Sequence, residues 1–441
     1  MREDFKSTAR ELADFSLPLI ASGVLQQLYN WADAFIVGNV EGEAALAAVG
    51  AASSAVGFYV YLIAGFSVGL SILFAQTYGS GDTARLPKIL SAFSVVLFAV
   101  FSVLAALGVV AAPALLRLLH TTYDTFAMAR DYLAVVLAGI PFLALYNVYS
   151  AALRGLGDSR APFYAVLVSS AVNVALDLLF VAVFRWSVAG AAAATVASQA
   201  AMALFLIFYA ARRYPVLRFN FKDRLIDRAA LAEGCRLGFP PTVQFSVTSL
   251  GNLALQNFMN GFGTQTVAAV TTAYRIDTII LLPIINLGSA ISTLVAQSRG
   301  AGDRERMGRI FSAGAALMAA VSVALTLLVI PTGSRLIALF GAGGEAVAIG
   351  HDFFLRIASF YWAFGLATAF RGYIEGLGDV LWSSCAGIAA LAFRIAASYA
   401  LVSFFGNMVI AYAEALSWIL LLALYAARAA HNKKLIERRG I

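Results

Sequence analysis

Long stretches of apolar residues alternate with short polar segments along the whole chain. A hydrocarbon core of about 30 Å takes roughly 20 residues of helix to cross, and twelve stretches are long enough. Because the stretches are continuous and lack the alternation of a membrane β-strand, they predict helices. The pattern therefore predicts an all-α membrane protein with twelve transmembrane helices. The predicted spans lie near residues 12–38, 45–75, 89–112, 130–152, 162–184, 188–211, 233–260, 266–297, 308–331, 350–374, 380–404 and 406–428.

The composition indicates that the solvent of this chain is lipid. Hydrophobic residues occupy 61% of the 441 positions and charged residues only 12%, whereas an ordinary soluble domain carries roughly 25% charged residues. A soluble chain of this length could not keep so much apolar surface away from water. A cytosolic enzyme, a nucleic-acid-binding module and a disordered chain are therefore excluded, and we expect no nucleic-acid partner.

Basic residues are concentrated on one side of the predicted spans. Of the 31 lysines and arginines, 24 fall on one side and 5 on the other, and Arg275 and Arg394 lie inside spans. Cytoplasmic loops of membrane proteins collect basic residues. We therefore expect a multi-pass protein of the plasma (inner) membrane with both termini in the cytoplasm, and this loop bias explains the net charge of +7.

The second half of the chain repeats motifs of the first half 221 residues later. AQxxGxGD begins at positions 75 and 296, and GLGD occurs at 155–158 and 376–379. Six helices are an even number, so equivalent helices run the same way through the bilayer. We expect two six-helix bundles, residues 1–211 and 233–441, related by a pseudo-two-fold axis along the membrane normal and joined by a cytoplasmic linker at 212–232. Two such bundles are typical of transporters that alternate access by rocking.

Two aspartates in the first predicted bundle form a candidate site for a coupling ion. Asp177 shares a helical face with Asn173, four residues before it. Asp33 and Thr195 fall in the same outward half of the bundle. Ionisable residues within lipid are costly and usually functional. Two carboxylates there hold a proton or share a cation, and asparagine and threonine oxygens complete a site for a hard cation.

These four residues are therefore the predicted H⁺ site, or the predicted metal site if Na⁺ is the coupling ion. The alternative is that each aspartate only caps a neighbouring helix. Further polar residues on the first and fourth spans are candidates for contact with a transported molecule, although hydrogen bonds between helices are the ordinary use of such groups. The predicted substrate-binding residues are Gln26, Tyr29, Asn30, Asn147 and Ser150.

The second half lacks the acidic pair, because the offset of 221 places Arg394 at the position of Asn173 and Ser398 at that of Asp177. Other ionisable residues are embedded there instead. Arg394 with Glu414, and Arg275 with Asp277 or Glu414, are candidate ion pairs. We expect a structural role for them, and charge compensation for a substrate stays open.

The segment QQLYNWADAFIVGNVEGEAALAAVG (26–50), the two AQxxGxGD loops and the two GLGD turns resemble the multidrug and toxic compound extrusion (MATE) family over the whole chain. The resemblance implies an efflux antiporter that expels organic cations and other amphiphiles in exchange for H⁺ or Na⁺. Asp33, Asn173, Asp177 and Thr195 match the family's ion-coupling residues in the N-terminal bundle, and Gln26, Tyr29 and Asn147 match positions lining its cavity.

One branch of that family has a further acidic site in helices 7 and 10. Here helix 7 has only Glu233, at its cytoplasmic end, and helix 10 has Glu375, again at the end, which indicates coupling through the first bundle alone, as in the DNA-damage-inducible-like branch. The sequence has no GxxxxGK[ST] motif for ATP, so we expect ion-driven transport without a cofactor, by a protein that is not an enzyme.

Two other functions stay open. A flippase for lipid-linked sugars of the same superfamily would use basic residues to hold pyrophosphate, for which Arg275, Arg371 and Arg394 are candidates. A channel or a signalling membrane protein is disfavoured by the duplicated bundle without a continuous polar stripe. The expected partners are small organic substrates, H⁺ or Na⁺ and membrane lipid. We expect a monomer, because the two halves already form a complete assembly.

Overall fold

The computed structural model describes residues 2–118, 121–219, 226–341 and 343–439. Residues 220–225 of the predicted linker lie outside the described part. The described residues form fourteen α-helices and no strand. The helices are Arg2–Glu41 (α1), Glu43–Gly79 (α2), Leu86–Leu118 (α3), Tyr123–Gly155 (α4), Arg160–Asp177 (α5), Ser187–Arg213 (α6), Arg228–Asn260 (α7), Thr264–Ile280 (α8), Leu282–Gly300 (α9), Arg304–Leu339 (α10), Gly344–Ala358 (α11), Tyr361–Gly376 (α12), Val380–Phe405 (α13) and Val409–Arg439 (α14).

The fourteen helices account for twelve membrane crossings. Two crossings are each made of two helices that meet at a bend, of 42° between α8 and α9 and of 47° between α11 and α12. The segment Val380–Lys434 is long and apolar enough to cross a membrane, and its two helices, α13 and α14, pack against each other after a turn at Gly406. The predicted all-α architecture of twelve spans is confirmed.

The helices pack into two units whose borders lie inside α1 and α7. One unit contains Met1–Ile20 and Val243–Ile441, and the other is the continuous stretch Ala21–Thr242. We call the stretch 21–242 the first unit and the other the second unit. Each border follows closely after a proline, Pro18 in α1 and Pro241 in α7. The division at the linker that the sequence repeat predicts stays a prediction.

Equivalent ion pairs hold the first halves of α1 and α7 in their units. Within the first unit, Arg85 of the loop after α2 lies 2.5 Å from Glu233 of α7. Within the second unit, Arg306 at the start of α10 lies 2.7 Å from Glu11 of α1. The two arginines are 221 residues apart, and each glutamate precedes a proline of its helix by seven residues. The duplicated sequence therefore produces the same contact twice.

Glycines allow two helices of the first unit to approach until their backbones touch. A Cβ atom on Gly69 of α2 would lie 2.3 Å from the backbone of Leu237 in α7, and one on Gly65 would lie 2.6 Å from the backbone of Thr242. The two glycines are four residues apart and share one helix face, as in the GxxxG motif of membrane helix pairs. The close packing of α2 on α7 therefore depends on the absence of side chains at these two positions.

Replacing Gly69 with alanine is expected to lower the free energy of unfolding by about 1–3 kcal/mol, the usual cost of overpacking. The backbone of Leu237 that the new methyl group would meet cannot rotate away. Gly57 of the same helix is the matched control, because a Cβ there has open space and its alanine variant should gain about 0.5–1 kcal/mol from helix propensity. Thermal melting of both purified variants measures the difference, and equal melting temperatures would contradict the close contact.

The aspartates of the two GLGD turns anchor the last helix of each unit. Asp158 accepts hydrogen bonds from the hydroxyls of Tyr209, at 3.1 Å, and Tyr214, at 2.9 Å. Asp379 accepts a hydrogen bond from Nε of Arg428, a residue of α14, at 2.6 Å. Burial and the hydrogen bond to Asp158 raise the pKa of Tyr214, so its hydroxyl stays a neutral donor at physiological pH. The repeated GLGD motif thus has a repeated structural role with different partners.

Candidate functional site

The two aspartates predicted to bind the coupling ion are neighbours in the first unit. Asp177 is the last residue of α5, and its carboxyl group lies close to that of Asp33 in α1. Asn173 lies one helical turn earlier on the same face of α5. Asn173 and Asp177 are both 0% exposed, and Asp33 is half-buried. The structure therefore places two carboxyl groups and one amide in a common interior position.

Most polar atoms of this cluster lack a protein partner. Both carboxylate oxygens of Asp177, both amide atoms of Asn173 and Oδ1 of Asp33 are buried without a hydrogen bond to any described residue. A buried polar atom without a partner costs about 1–3 kcal/mol, and more if it is charged. Such a cluster is stable when a proton or a cation supplies the missing interaction. The arrangement is therefore chemically suited to bind a small positive ion.

The chain of α5 changes its winding directly after Asp177. Residues Leu178–Val183 form a π-helical turn, which is rare and occurs frequently at functional sites. This wider turn begins directly after Asp177, whose carboxylate lacks a partner among the described residues. The backbone irregularity and the unsatisfied carboxylate of Asp177 therefore coincide.

Thr195 of α6 joins the cluster through a tyrosine. Its hydroxyl donates to the carbonyl of Ala191 at 3.0 Å, and its side chain also interacts with Tyr132 of α4. Tyr132 is buried and lies close to Asp33 and Asp177. Sequence reasoning missed Tyr132, because one tyrosine in an apolar helix looks like any other membrane aromatic residue.

The predicted substrate residues divide into two groups. Tyr29 lies near both aspartates and interacts with Gln26 one turn earlier, and Gln26 and Asn30 have exposed side chains. On α4, the amide of Asn147 donates to its own helix, to the Leu143 carbonyl at 2.9 Å. Ser150 is buried and interacts with Tyr146. Their assignment to a substrate stays a prediction, and the α1 residues are the ones that adjoin the aspartates.

The second unit has a different cluster. Arg394 of α13 lies 2.9 Å from Glu414 of α14, and the hydroxyl of Tyr274 contacts both residues, at 2.7 and 2.9 Å. Only 16% of the arginine side chain and 13% of the glutamate side chain are exposed. The ion pair between Arg394 and Glu414 expected from the sequence is therefore present, and a tyrosine completes it.

Arg275 and Asp277 do not form the expected pair. Arg275 is exposed, whereas Asp277 is buried and accepts a hydrogen bond from the hydroxyl of Tyr361. Residues two apart on an α-helix point to different sides, so these two residues cannot share one face of α8. The embedded acid in α8 is satisfied by a tyrosine instead of by the neighbouring arginine.

Comparison with known proteins identifies the family. The MatE family model matches residues 18–179 and 240–424, well over half of the chain. The chain belongs to the MATE family. It is similar to the probable multidrug resistance proteins YoeA and YpnP of Bacillus subtilis (strain 168). YoeA is 29% identical over 87% of this chain and 85% of its own length. YpnP is 30% identical over 84% and 83%.

Solved structures show the same fold. One of them, an outward-facing conformation of a multidrug resistance MATE family transporter of the MOP superfamily, matches with a TM-score of 0.90. It is 21% identical and covers 97% of both chains. A MATE structure in a bent conformation matches equally well, with 20% identity and 98% coverage of both chains. This MATE protein is therefore a multi-pass membrane transporter and not an enzyme, and the resemblance in its sequence is confirmed.

Proposed function

We propose that this MATE protein is a secondary active efflux transporter that exchanges H⁺ or Na⁺ for organic, mostly cationic and amphiphilic molecules by alternating access. The carboxyl pair of Asp33 and Asp177 is the observation that carries the proposal, because three of its buried oxygens have no hydrogen-bond partner among the residues that the structure describes. The relatives are named as multidrug resistance proteins, which supports organic substrates. A monomer in the plasma membrane with cytoplasmic termini, as the basic loops indicate, completes the proposal.

A coupling ion and a cationic substrate compete for the same negative charge in this mechanism. A proton or Na⁺ at Asp33 and Asp177 neutralises the pair, while loss of that ion leaves negative charge in a site of low dielectric. A bound organic cation is then favoured close by, where Tyr29 offers an aromatic face. Asn173 and Thr195 are proposed to add neutral oxygens to the ion site.

Asp33 and Asp177 suit H⁺ or Na⁺ better than a transition metal. Among the described residues, no three histidine, cysteine, aspartate or glutamate side chains converge as a transition-metal site would require. The donor set of carboxylate, amide and hydroxyl oxygens is the one that hard cations prefer. Na⁺ would take these oxygens as ligands, and H⁺ would need only the carboxyl pair.

The proposed exchange is tested with purified protein in liposomes that contain ethidium. Imposing an inward gradient of H⁺ or of Na⁺ should accelerate dye export, and dissipating the gradient with an ionophore should remove the acceleration. Vesicles without protein correct for leakage. Dye movement that ignores both gradients would contradict ion-coupled efflux.

The flippase alternative receives less support from the structure. Of the three arginines that it would use, Arg275 is exposed on α8, while Arg371 and Arg394 are each bound to a glutamate. A diphosphate would have to share both guanidinium groups with these glutamates, which reduce their net positive charge. The acidic site of the first unit, which a flippase does not need, favours the exporter.

A further inference from the structure

The second unit contains a cavity of about 170 Å³ that the proposed ion exchange does not use. Two arginines, Arg371 of α12 and Arg394 of α13, contribute to its wall. The remaining lining residues are hydroxyl, amide, aromatic and aliphatic. They include Gln244, Phe364 and Trp418. The cavity wall therefore combines positive charge with apolar surface and contains no acidic residue.

Both arginines keep hydrogen-bond donors that no described residue uses. Arg371 donates through Nε to Glu375, at 2.7 Å. Arg394 donates through Nη2 to Glu414 and to Tyr274. A guanidinium group has five N–H donors in a fixed fork, so several N–H groups of each arginine remain available. Carboxylates are the usual partners of such forks.

The glutamates bound to Arg371 and Arg394 do not line the cavity. Neither Glu375 nor Glu414 lines the space, and Glu375 is almost completely buried, where it also accepts from the hydroxyl of Ser383 at 2.9 Å. They fix the orientation of Arg371 and Arg394 and reduce the net positive charge. A bound anion would therefore share each guanidinium with a glutamate, as in a charge network.

A third polar side chain in the cavity wall, that of Gln244, has an atom without a hydrogen-bond partner among the described residues. Oε1 of Gln244 is buried without a hydrogen bond to the described residues, and the residue is only 7% exposed. An amide oxygen of this kind accepts a hydrogen bond from a hydroxyl or ammonium group. This acceptor cannot bond to a carboxylate, which has no donor, but it could accept a hydrogen bond from a hydroxyl substituent on the ring.

Size and shape limit the ligand. A cavity of roughly 150 Å³ holds one benzene ring, so 170 Å³ accommodates a single ring with a small substituent. Trp418 and Phe364, whose ring centroids are 5.0 Å apart, provide an aromatic surface in the wall. The cavity therefore fits a compact aromatic acid.

We propose that this cavity binds a one-ring aromatic carboxylate, whose anionic group accepts hydrogen bonds from the free N–H groups of an arginine in the wall and whose ring packs on Trp418. The site is separate from the acidic cluster of the first unit and has the opposite charge. Its use as a substrate site rests on the proposed function, because it would extend the exported molecules to organic anions. The binding itself does not require transport.

Isothermal titration calorimetry on the purified full-length protein, with benzoate as the probe, tests the proposal. Benzyl alcohol offers the ring without the charge, and inorganic phosphate offers an anion without the ring. Benzoate should bind about 10- to 100-fold more tightly than benzyl alcohol, the usual range for a hydrogen-bonded charge, and more tightly than phosphate. Benzoate binding no tighter than that of benzyl alcohol would overturn the proposal.

Variants of the Arg394–Glu414 pair test whether benzoate binds in this cavity. The double variant Arg394→Gln with Glu414→Gln removes the charge without leaving a lone buried ion, and it should weaken benzoate binding about 10-fold or more. Glu414→Gln alone should tighten it about 10-fold, because Arg394 is no longer neutralised, and a misfolded protein could not produce that gain. Arg275→Gln, in the same unit but outside the cavity, should bind benzoate like the unmodified protein.

Two further results distinguish this inference from the proposed function. Asp33→Asn should bind benzoate normally even if it no longer exports ethidium. If the unmodified protein binds benzoate but shows no ion-coupled export, the exchange mechanism is wrong and the anion site stands. If export is normal and the double variant, melting at the usual temperature, binds benzoate unchanged, the anion site is wrong.

Discussion

Replacing Asp177 with asparagine is expected to reduce ion-coupled dye efflux to the level of vesicles without protein. Asparagine has the shape of aspartate but cannot take up a proton or carry the negative charge that holds Na⁺. The side chain is fully buried, and its oxygens have no partner among the described residues. The substitution therefore removes the charge while breaking no hydrogen bond that the structure shows. The measurement is ethidium export from proteoliposomes under an imposed H⁺ or Na⁺ gradient.

The matched control for Asp177→Asn is Asp131→Asn in the same unit. Asp131 is exposed and lies 2.8 Å from Arg130, and exposed ion pairs contribute about 0–1 kcal/mol. Export by this variant should equal that of the unmodified protein. Membrane expression and melting temperature of both variants show whether the fold is retained. Gradient-dependent export by Asp177→Asn at the normal rate would contradict the assignment of this residue.

Replacing Arg394 with glutamine is expected to lower the free energy of unfolding by about 3–5 kcal/mol, the usual cost of removing one partner of a buried ion pair. Glu414 would then keep its charge in a largely buried position without its positive neighbour. Tyr274 alone could donate one hydrogen bond to it. Thermal melting in detergent measures the effect, which is the largest loss of stability among the variants proposed for this protein.

Adding Glu414→Gln to Arg394→Gln should restore most of the lost stability. The two amides can bond to each other, and no lone charge remains. Arg275→Gln is the control, because this arginine is exposed and its replacement should change the free energy by less than about 0.5 kcal/mol. Equal melting temperatures for the single and double variants would show that the pair contributes no specific stabilisation.

Hydropathy predicts the twelve crossings but gives little information about where a crossing bends. The sequence predicts one span over 266–297, where the structure has α8 and α9 meeting at 42°. Pro283, near the start of α9, marks this break. The 47° bend between α11 and α12 falls near Ser359 and has no proline at the junction. Apolar content determines that a helix is in lipid, whereas side-chain fit determines where it bends.

The sequence also does not show where the two packing units divide. Pro18 and Pro241 are visible in the sequence, but the apolar run continues across both of them. Nothing in hydropathy says which neighbours cover Leu12 before Pro18, and in the structure this residue packs in the core of the second unit with Ile291. The glycines at 65 and 69 are a local signal for the close contact of α2 with α7.

The acidic pair could be located from the sequence because charge in lipid is rare. The sequence places Asp33 and Asp177 in the same outward half of the first bundle, and the structure brings their carboxyl groups close together. The aromatic residues around the clusters could not be located in this way. Tyr132, Tyr274 and Tyr361 each interact with an ionisable side chain or with Thr195, but tyrosine is common in membrane helices. Its role depends on the contact, which only the three-dimensional structure provides.

The central claim is that Asp33 and Asp177 hold the coupling ion and give it up when substrate binds. Ion release is measured directly by adding ethidium to purified protein in weakly buffered detergent solution, with a proton-sensitive dye and a sodium-sensitive dye present. The account predicts that the unmodified protein releases H⁺ or Na⁺ and that the variant with asparagine at both positions releases neither. Equal release from that variant would contradict the account.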